Sequence, residues 1–215
     1  MGYFSFEIKN IDTECILPFL KGKNYPFYLD SGSYFKNIGR YSFFGFDPFV
    51  TFKFKNGLVE IVEDGFQKEI KDDPFTFLNF IFNKFKCDDR GKQFPFQGGF
   101  VGYLGYELGN YIEDIKDNRV DDYNLPDFYF AGYDTICCYD HLADKFYIAG
   151  YDRGQYISDK VDKFKCELEK FYDFKAVQDS TLFSIGQSLT SNFSKDDYKR
   201  TINRAKEYIF AGDIY

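Results

Sequence analysis

Residues 96–109 read Phe-Gln-Gly-Gly-Phe-Val-Gly-Tyr-Leu-Gly-Tyr-Glu-Leu-Gly, with five glycines and four aromatic side chains in fourteen positions. Ordering glycine costs backbone entropy, so this density needs a structural reason, and the aromatic content argues against a flexible linker. Close approach supplies the reason: glycines at 99, 102 and 105 let a neighbouring strand or a ligand come near, while Phe100, Tyr103 and Tyr106 pack beside them. A dinucleotide fingerprint needs G-x-G-x-x-G between a strand and a helix, and a phosphate loop needs a lysine after its glycines. Here the glycines stand three apart and Tyr106-Glu107 follows, so the segment is read as a buried, glycine-rich strand.

The whole chain shares this aromatic character, with 29 Phe, 19 Tyr and no Trp in 215 residues. Such a composition favours a packed, strand-rich protein. An excess of 34 acidic over 27 basic side chains, a net charge of -7, argues against nucleic-acid and anionic-membrane partners. Small metabolites and proteins remain. The N-terminus alternates like a strand and lacks the basic head and apolar run of a signal peptide, and no segment is apolar enough to span a bilayer; the expected location is cytoplasmic. Cys15, Cys87, Cys137, Cys138 and Cys166 show no C-x-x-C spacing and are read as buried or incidental thiols. Cys137 and Cys138, adjacent in one strand, point to opposite faces and cannot readily grip one ion.

Alternating runs predict strands at Tyr3–Ile8, Tyr25–Asp30, Arg40–Phe46, Phe49–Lys55, Leu58–Val62 and Phe66–Ile70, with Asn56-Gly57 as a hairpin turn. Asp73-Pro74 supplies a cap and first-turn proline for a helix over 74–86, carrying Phe75, Leu78, Ile81, Phe82 and Phe85 at helical spacing. Beyond an acidic loop at 117–124, Asp127–Tyr139 and Lys145–Tyr151 predict two long strands joined by a turn holding His141, the only histidine in the sequence. No G-x-S-x-G elbow accompanies it, so His141 is read as a solvent-facing turn residue. Ser158 is expected to cap a helix burying Val161, Phe164, Leu168 and Phe171. The polar stretch 175–192 is the candidate crossing between domains. A final helix follows, opened by Ser194-x-x-Asp197, striped by Tyr198, Ile202, Ala205 and Ile209, and closed by Gly212. Hairpins with few helices predict an α+β fold: a mainly antiparallel two-sheet sandwich with covering helices.

Four features occur in a fixed order along the chain. They are Tyr28-Leu29-Asp30-Ser31-Gly32 with Gly39-Arg40-Tyr41-Ser42-Phe43-Phe44-Gly45-Phe46-Asp47-Pro48; the glycine-rich segment; Leu125-Pro126-Asp127 with Tyr133-Asp134; and Ser194-Lys195-Asp196-Asp197-Tyr198 leading to Ala211-Gly212-Asp213-Ile214-Tyr215. This set resembles the component I subunits of the chorismate-utilising synthases. In its Phe96-Gln97-Gly98-Gly99 and Asp30-Ser31-Gly32 wording it is more similar to aminodeoxychorismate synthase than to anthranilate synthase.

The resemblance implies an N-terminal synthase domain over 1–190 and the first helix of a chorismate-binding domain over 191–215. It implies amination of chorismate to 4-amino-4-deoxychorismate, for para-aminobenzoate and folate synthesis, with ammonia from a glutamine amidotransferase subunit. Mg2+ ligands and a Pro-Ile-Lys-Gly-Thr lysine are expected beyond Tyr215, so these 215 residues are expected to be inactive alone. Two alternatives are anthranilate synthase component I and a non-catalytic amino-acid-sensing or subunit-docking domain. The resemblance also places an amino-acid pocket, for tryptophan, at Ser31, Ile38, Gly39, Arg40 and Tyr41. A hydroxyl at Ser31 and a ring at Tyr41 suit such a ligand. Relatives can carry Tyr-Ser where this chain has Ile38-Gly39, which removes a ring and a hydroxyl from the pocket. The competing reading makes Ser31-Gly32 a strand-ending turn and Arg40-Tyr41 an ordinary strand start.

Overall fold

Phe52 shows why the chain needs so many aromatic residues: its ring meets those of Phe77, Phe82, Phe100, Phe128 and Phe130. The computed structural model describes residues 2–9, 11–32, 35, 38–87, 90–113, 121, 123–154, 157–172 and 190–215. Among these, one antiparallel sheet runs in the order β1 (Tyr3–Ile8), β10 (Lys145–Tyr151), β9 (Thr135–Asp140), β3 (Tyr41–Gly45) and β2 (Phe27–Leu29). The second runs β6 (Phe66–Lys71), β5 (Leu58–Glu63), β4 (Val50–Lys55), β8 (Phe128–Tyr133) and β7 (Gly99–Leu104).

Period-two alternation gives each sheet two apolar faces. On the outer face of the first, α1 (Ile16–Leu20) and α3 (Ile157–Tyr172) bury Phe19, Val161, Phe164 and Leu168 against Phe44, Cys137, Phe146 and Ile148. On the outer face of the second, α2 (Pro74–Lys84) buries Phe77, Leu78 and Ile81 against Phe52, Phe54 and Phe128. Between the sheets, Phe43, Ile136, Cys138 and Ala149 meet Ala131 and Tyr133. The fold is therefore the expected α+β two-sheet sandwich. Cys137 and Cys138 point to opposite faces, and burial pushes both thiols well above their ordinary range.

Local chemistry sets many element ends. Asn56 and Gly57 take φ of 51° and 79°, the left-handed pair that a tight hairpin requires, and Asp64 and Gly65 repeat it between β5 and β6. Asp73 accepts the Thr76 amide to cap α2, with Pro74 in its first turn. The second compact unit, Val177–Tyr215, contains α4 (Lys195–Ala211), capped by Ser194 accepting the Asp197 amide and ended by left-handed Gly212. Tyr198, Ile202 and Ile209 of its stripe are exposed. Residues 117–120 and 122 of the acidic loop, and 175–189 of the polar crossing, lie outside the described residues. No helix among the described residues is long and apolar enough to cross a membrane.

Several expectations need correction. The glycine-rich segment contains an edge strand, β7, whose far end is open: Tyr103 is 41% and Leu104 57% exposed. Its glycines do serve close approach, since a Cβ at Gly102 would strike the Tyr129 carbonyl and one at Gly105 would sit 2.9 Å from that of Asp127. Tyr106–Tyr111 then forms a 3-10 helix. A short helical stretch, a 3-10 turn at Thr13–Cys15 leading into α1, stands where only strands and turns are expected; Asp12 caps it. Helix α3 begins at Ile157, so Ser158 lies inside its first turn instead of capping it. On α2 the core is Phe77, Leu78 and Ile81, while Phe75 and Phe82 are exposed.

The largest correction concerns 127–139. It is two strands in different sheets, with Asp134 at the passage: β8 pairs with β4 and β7, β9 with β3 and β10. The Asp134 side chain is only 8% exposed, with Lys160 Nζ at 2.5 Å and Arg153 Nη1 at 3.8 Å. Its carbonyl accepts the Tyr151 amide at 3.0 Å. Arg153 also lies 3.6 Å over the ring of Phe49, at the other passage between sheets, from β3 to β4. Removing one member of a buried charge set leaves the others uncompensated, so Asp134→Ala should lower unfolding free energy by about 3 kcal/mol. Breaking the open Lys145–Glu7 pair, 46% and 53% exposed, should leave the midpoint essentially unchanged, because solvent screens it. Urea midpoints of the two variants check this.

Candidate functional site

The short strand β2 ends at Leu29, and the next three residues turn tightly. Asp30 Oδ1 accepts the Gly32 amide at 3.0 Å, an Asx turn that suits the Asp-Ser-Gly sequence. Ser31 then faces the start of β3, donating its hydroxyl to the Tyr41 carbonyl at 2.7 Å while its amide donates to Ser42 Oγ at 3.0 Å. On the return, Phe35 and Ile38 form an isolated bridge and Gly39 takes φ +71°. Ile38 is 72% exposed.

Arg40 reaches across to Asp140 at the end of β9, with Nη2 2.7 Å from Oδ2 and Nε 3.1 Å from Oδ1. Its guanidinium also lies 4.9 Å from the centre of the Tyr41 ring. Burial alone would push the Asp140 carboxyl up, but Arg40 and the Leu142 and Ala143 amides outweigh it and hold the group below the usual carboxylate range. The Tyr41 ring stands between the sheets, edge-on to Phe94 at 5.7 Å. Of the five residues assigned to the amino-acid pocket, Ser31, Gly39, Arg40 and Tyr41 thus gather at the start of β3. Ile38 projects outward from the same segment.

Alternation along β3 puts Ser42 on the opposite face from Tyr41. There a cleft of about 420 Å3 is lined by Glu14, Leu17, Tyr28, Asp30, Tyr139 and His141. Ser42, 1% exposed, sits behind it with Oγ 2.9 Å from Asp30 Oδ1 and 2.7 Å from His141 Nε2. The Gly32 amide and the Ser42 hydroxyl are among the groups holding Asp30 below its ordinary range. Tyr28 is pushed up to about 12, by burial and then by the charge of Asp30.

These three side chains have the composition of a hydrolytic triad but not its order. Serine is the middle member and is buried, whereas nucleophilic catalysis places histidine between an accessible serine and the carboxylate. His141 is half-buried against Tyr139 at 4.5 Å, not the solvent-facing turn residue expected. The sequence assigns no role to Asp30, Ser42 or Asp140, and it sets His141 aside as a turn residue. One signal was present: Ser42 is the polar residue of an otherwise aromatic strand, Tyr41-Ser42-Phe43-Phe44. Among the described residues no group of three or more His, Cys, Asp or Glu side chains is placed to hold a metal ion.

A depressed carboxyl contributes stability that is present above its unfolded pKa and lost as pH falls through its folded one. For Asp140 that window opens below the unfolded value of about 3.9. The urea midpoint should fall with acidification below about pH 4, and Asp140→Asn should show a flatter acid limb with a lower plateau at neutral pH. An unchanged acid limb would assign the loss elsewhere.

Comparison with known proteins gives the chain a family. The family described as chorismate binding enzyme matches residues 25–215. Anthranilate synthase component 1 of Acetivibrio thermocellus is 32% identical over 203 residues, covering 88% of this chain and 41% of that protein. Aminodeoxychorismate synthase component 1 of Bacillus subtilis is 29% identical over 180 residues, covering 82% of this chain and 38% of that protein. The crystal structure of anthranilate synthase component I from Streptococcus pneumoniae superposes with a TM-score of 0.59 at 20% identity, over 82% of this chain and 39% of that one. This last likeness bears on the fold alone. The chain spans about two fifths of the length of these relatives. With its sandwich and its ordered motifs, the chain belongs to the chorismate binding enzyme family.

Proposed function

We propose that this sequence forms the N-terminal sandwich of a component I subunit that aminates chorismate to 4-amino-4-deoxychorismate, with ammonia from a glutamine amidotransferase partner. The product would feed para-aminobenzoate and folate synthesis. The observation carrying the reading is the family match over 25–215. The Phe96-Gln97-Gly98-Gly99 wording supports the aminodeoxychorismate branch, as does the relative from Bacillus subtilis. A second reading, anthranilate synthase component I, is favoured by the 32% identical relative from Acetivibrio thermocellus.

In this reading the sandwich is not the chorismate site. Chorismate carries two carboxylates and a hydroxyl that leaves poorly without electrophilic help, so its site needs available cations. Several half-buried cations described here already face carboxylates: Lys23 meets Glu167, Lys55 meets Asp127, and Arg153 and Lys160 meet Asp134, while the exposed Arg40 meets the buried Asp140. Mg2+ and the catalytic lysine would come from the part of the relatives' length that these residues do not span. The sandwich would instead provide the amino-acid pocket at Ser31, Ile38, Gly39, Arg40 and Tyr41, with tryptophan as the ligand. Ser31 Oγ, already donating to the Tyr41 carbonyl, keeps lone pairs to accept from a ligand ammonium, and Tyr41 and Phe94 offer aromatic walls.

Full-length protein incubated with chorismate, ammonium and Mg2+ tests the reading. Aminodeoxychorismate without pyruvate is the expected outcome; anthranilate with stoichiometric pyruvate would move the assignment to the second reading. Turnover by residues 1–215 alone would overturn the assignment of the sandwich as non-catalytic.

A further inference from the structure

Ser42 Oγ has three neighbours and a single proton. The Ser31 amide lies at 3.0 Å, Asp30 Oδ1 at 2.9 Å and His141 Nε2 at 2.7 Å. A hydroxyl donates once and accepts up to twice. The Ser31 amide can only donate, which occupies one lone pair of Ser42. The ionised Asp30 carboxylate can only accept, and if Ser42 gave its proton elsewhere two lone pairs would face each other at 2.9 Å. The proton of Ser42 therefore goes to Asp30, and the remaining lone pair must accept from His141. That requires the imidazole to carry its hydrogen on Nε2.

We infer that His141 is a positioning residue for the Asp30–Gly32 turn, donating through Nε2 to Ser42, which holds the Ser31 amide and so fixes the Ser31 hydroxyl assigned to the amino-acid pocket. The last step rests on the pocket reading above; the positioning itself does not. The arrangement is local to one corner of the first sheet. His141 also anchors its own backbone there, its amide donating to the Arg40 carbonyl at 2.8 Å. The charged and titratable groups around the ring are Asp30, Glu14 and Tyr28 across the cleft, Tyr139 against its face, and the Arg40–Asp140 pair beside it. A turn held this way presents a ready-made hydroxyl at Ser31, and a pre-organised site loses less entropy on binding.

His141 is the one histidine within residues 1–215, and its signal in the full-length protein is identified by its loss in His141→Gln. Full-length protein labelled with 15N-histidine should show the Nε2–H tautomer at this residue in long-range 1H–15N spectra. In His141→Ala, deuterium exchange of the peptide containing Ser31 should accelerate roughly tenfold, the effect of about one lost hydrogen bond. His141→Gln, whose side-chain amide can still donate to Ser42, should restore slow exchange. Tryptophan dissociation constants should follow the same order. An Nδ1–H tautomer, or exchange at Ser31 indifferent to His141→Ala, would overturn the inference. If tautomer and exchange behave as stated but no tryptophan is retained by any form, positioning stands and the ligand reading falls.

Discussion

The buried carboxylate of Asp134 is the point at which the two sheets become one structure. A strand leaving one sheet for the other exposes backbone groups that neither ladder pairs. At this corner the Asp134 carbonyl takes the Tyr151 amide, and the carboxylate takes Lys160 from α3 and Arg153 from the end of β10. Arg153 extends the anchor to the second crossing by stacking on Phe49. Gly150 stands where any Cβ would meet the Asp134 carbonyl, so the corner also dictates a residue one strand away. Charge pairing holds this corner, and the aromatic clusters fill the faces of the two sheets that meet there.

The order of strands in the first sheet determines what β3 can display. Held beside β9, the strand sends Tyr41 and Phe43 between the sheets and Ser42 and Phe44 toward the helices. The Ser31 turn closes over its first residues through two hydrogen bonds, and the Arg40–Asp140 pair pins the same end from the side. Polar chemistry is thus concentrated where the sheet is least covered. The aromatic remainder of the strand supplies stability without offering a ligand anything to recognise.

Much of this was legible because the governing interactions are short in sequence. Asn56-Gly57, Asp73-Pro74 and Ser194-x-x-Asp197 each specify a turn or cap within four residues, and all three form as expected. What was not legible depends on distant partners. The run 127–139 is apolar and aromatic on both sides of Asp134 and reads as one long strand, and the partner that makes Asp134 a change of sheet, Lys160, is 26 positions away. The edge position of β7 follows from which strands pair, not from its glycines. His141 was taken for a connector because the serine that holds it lies 99 residues upstream. The candidate pocket residues were placed by family resemblance, whereas the Asp30–Ser42–His141 network behind them emerges only when three separate segments meet.

The account assigns this sandwich to ligand retention, with chemistry carried out elsewhere in the protein. Equilibrium dialysis of labelled L-tryptophan against full-length protein, beside a Ser31→Ala variant, tests that assignment most directly. Saturable retention near one molecule per chain, weakened at least roughly tenfold by loss of the Ser31 hydroxyl, is the expected result. No retention by the wild-type protein, or retention indifferent to Ser31, would contradict it.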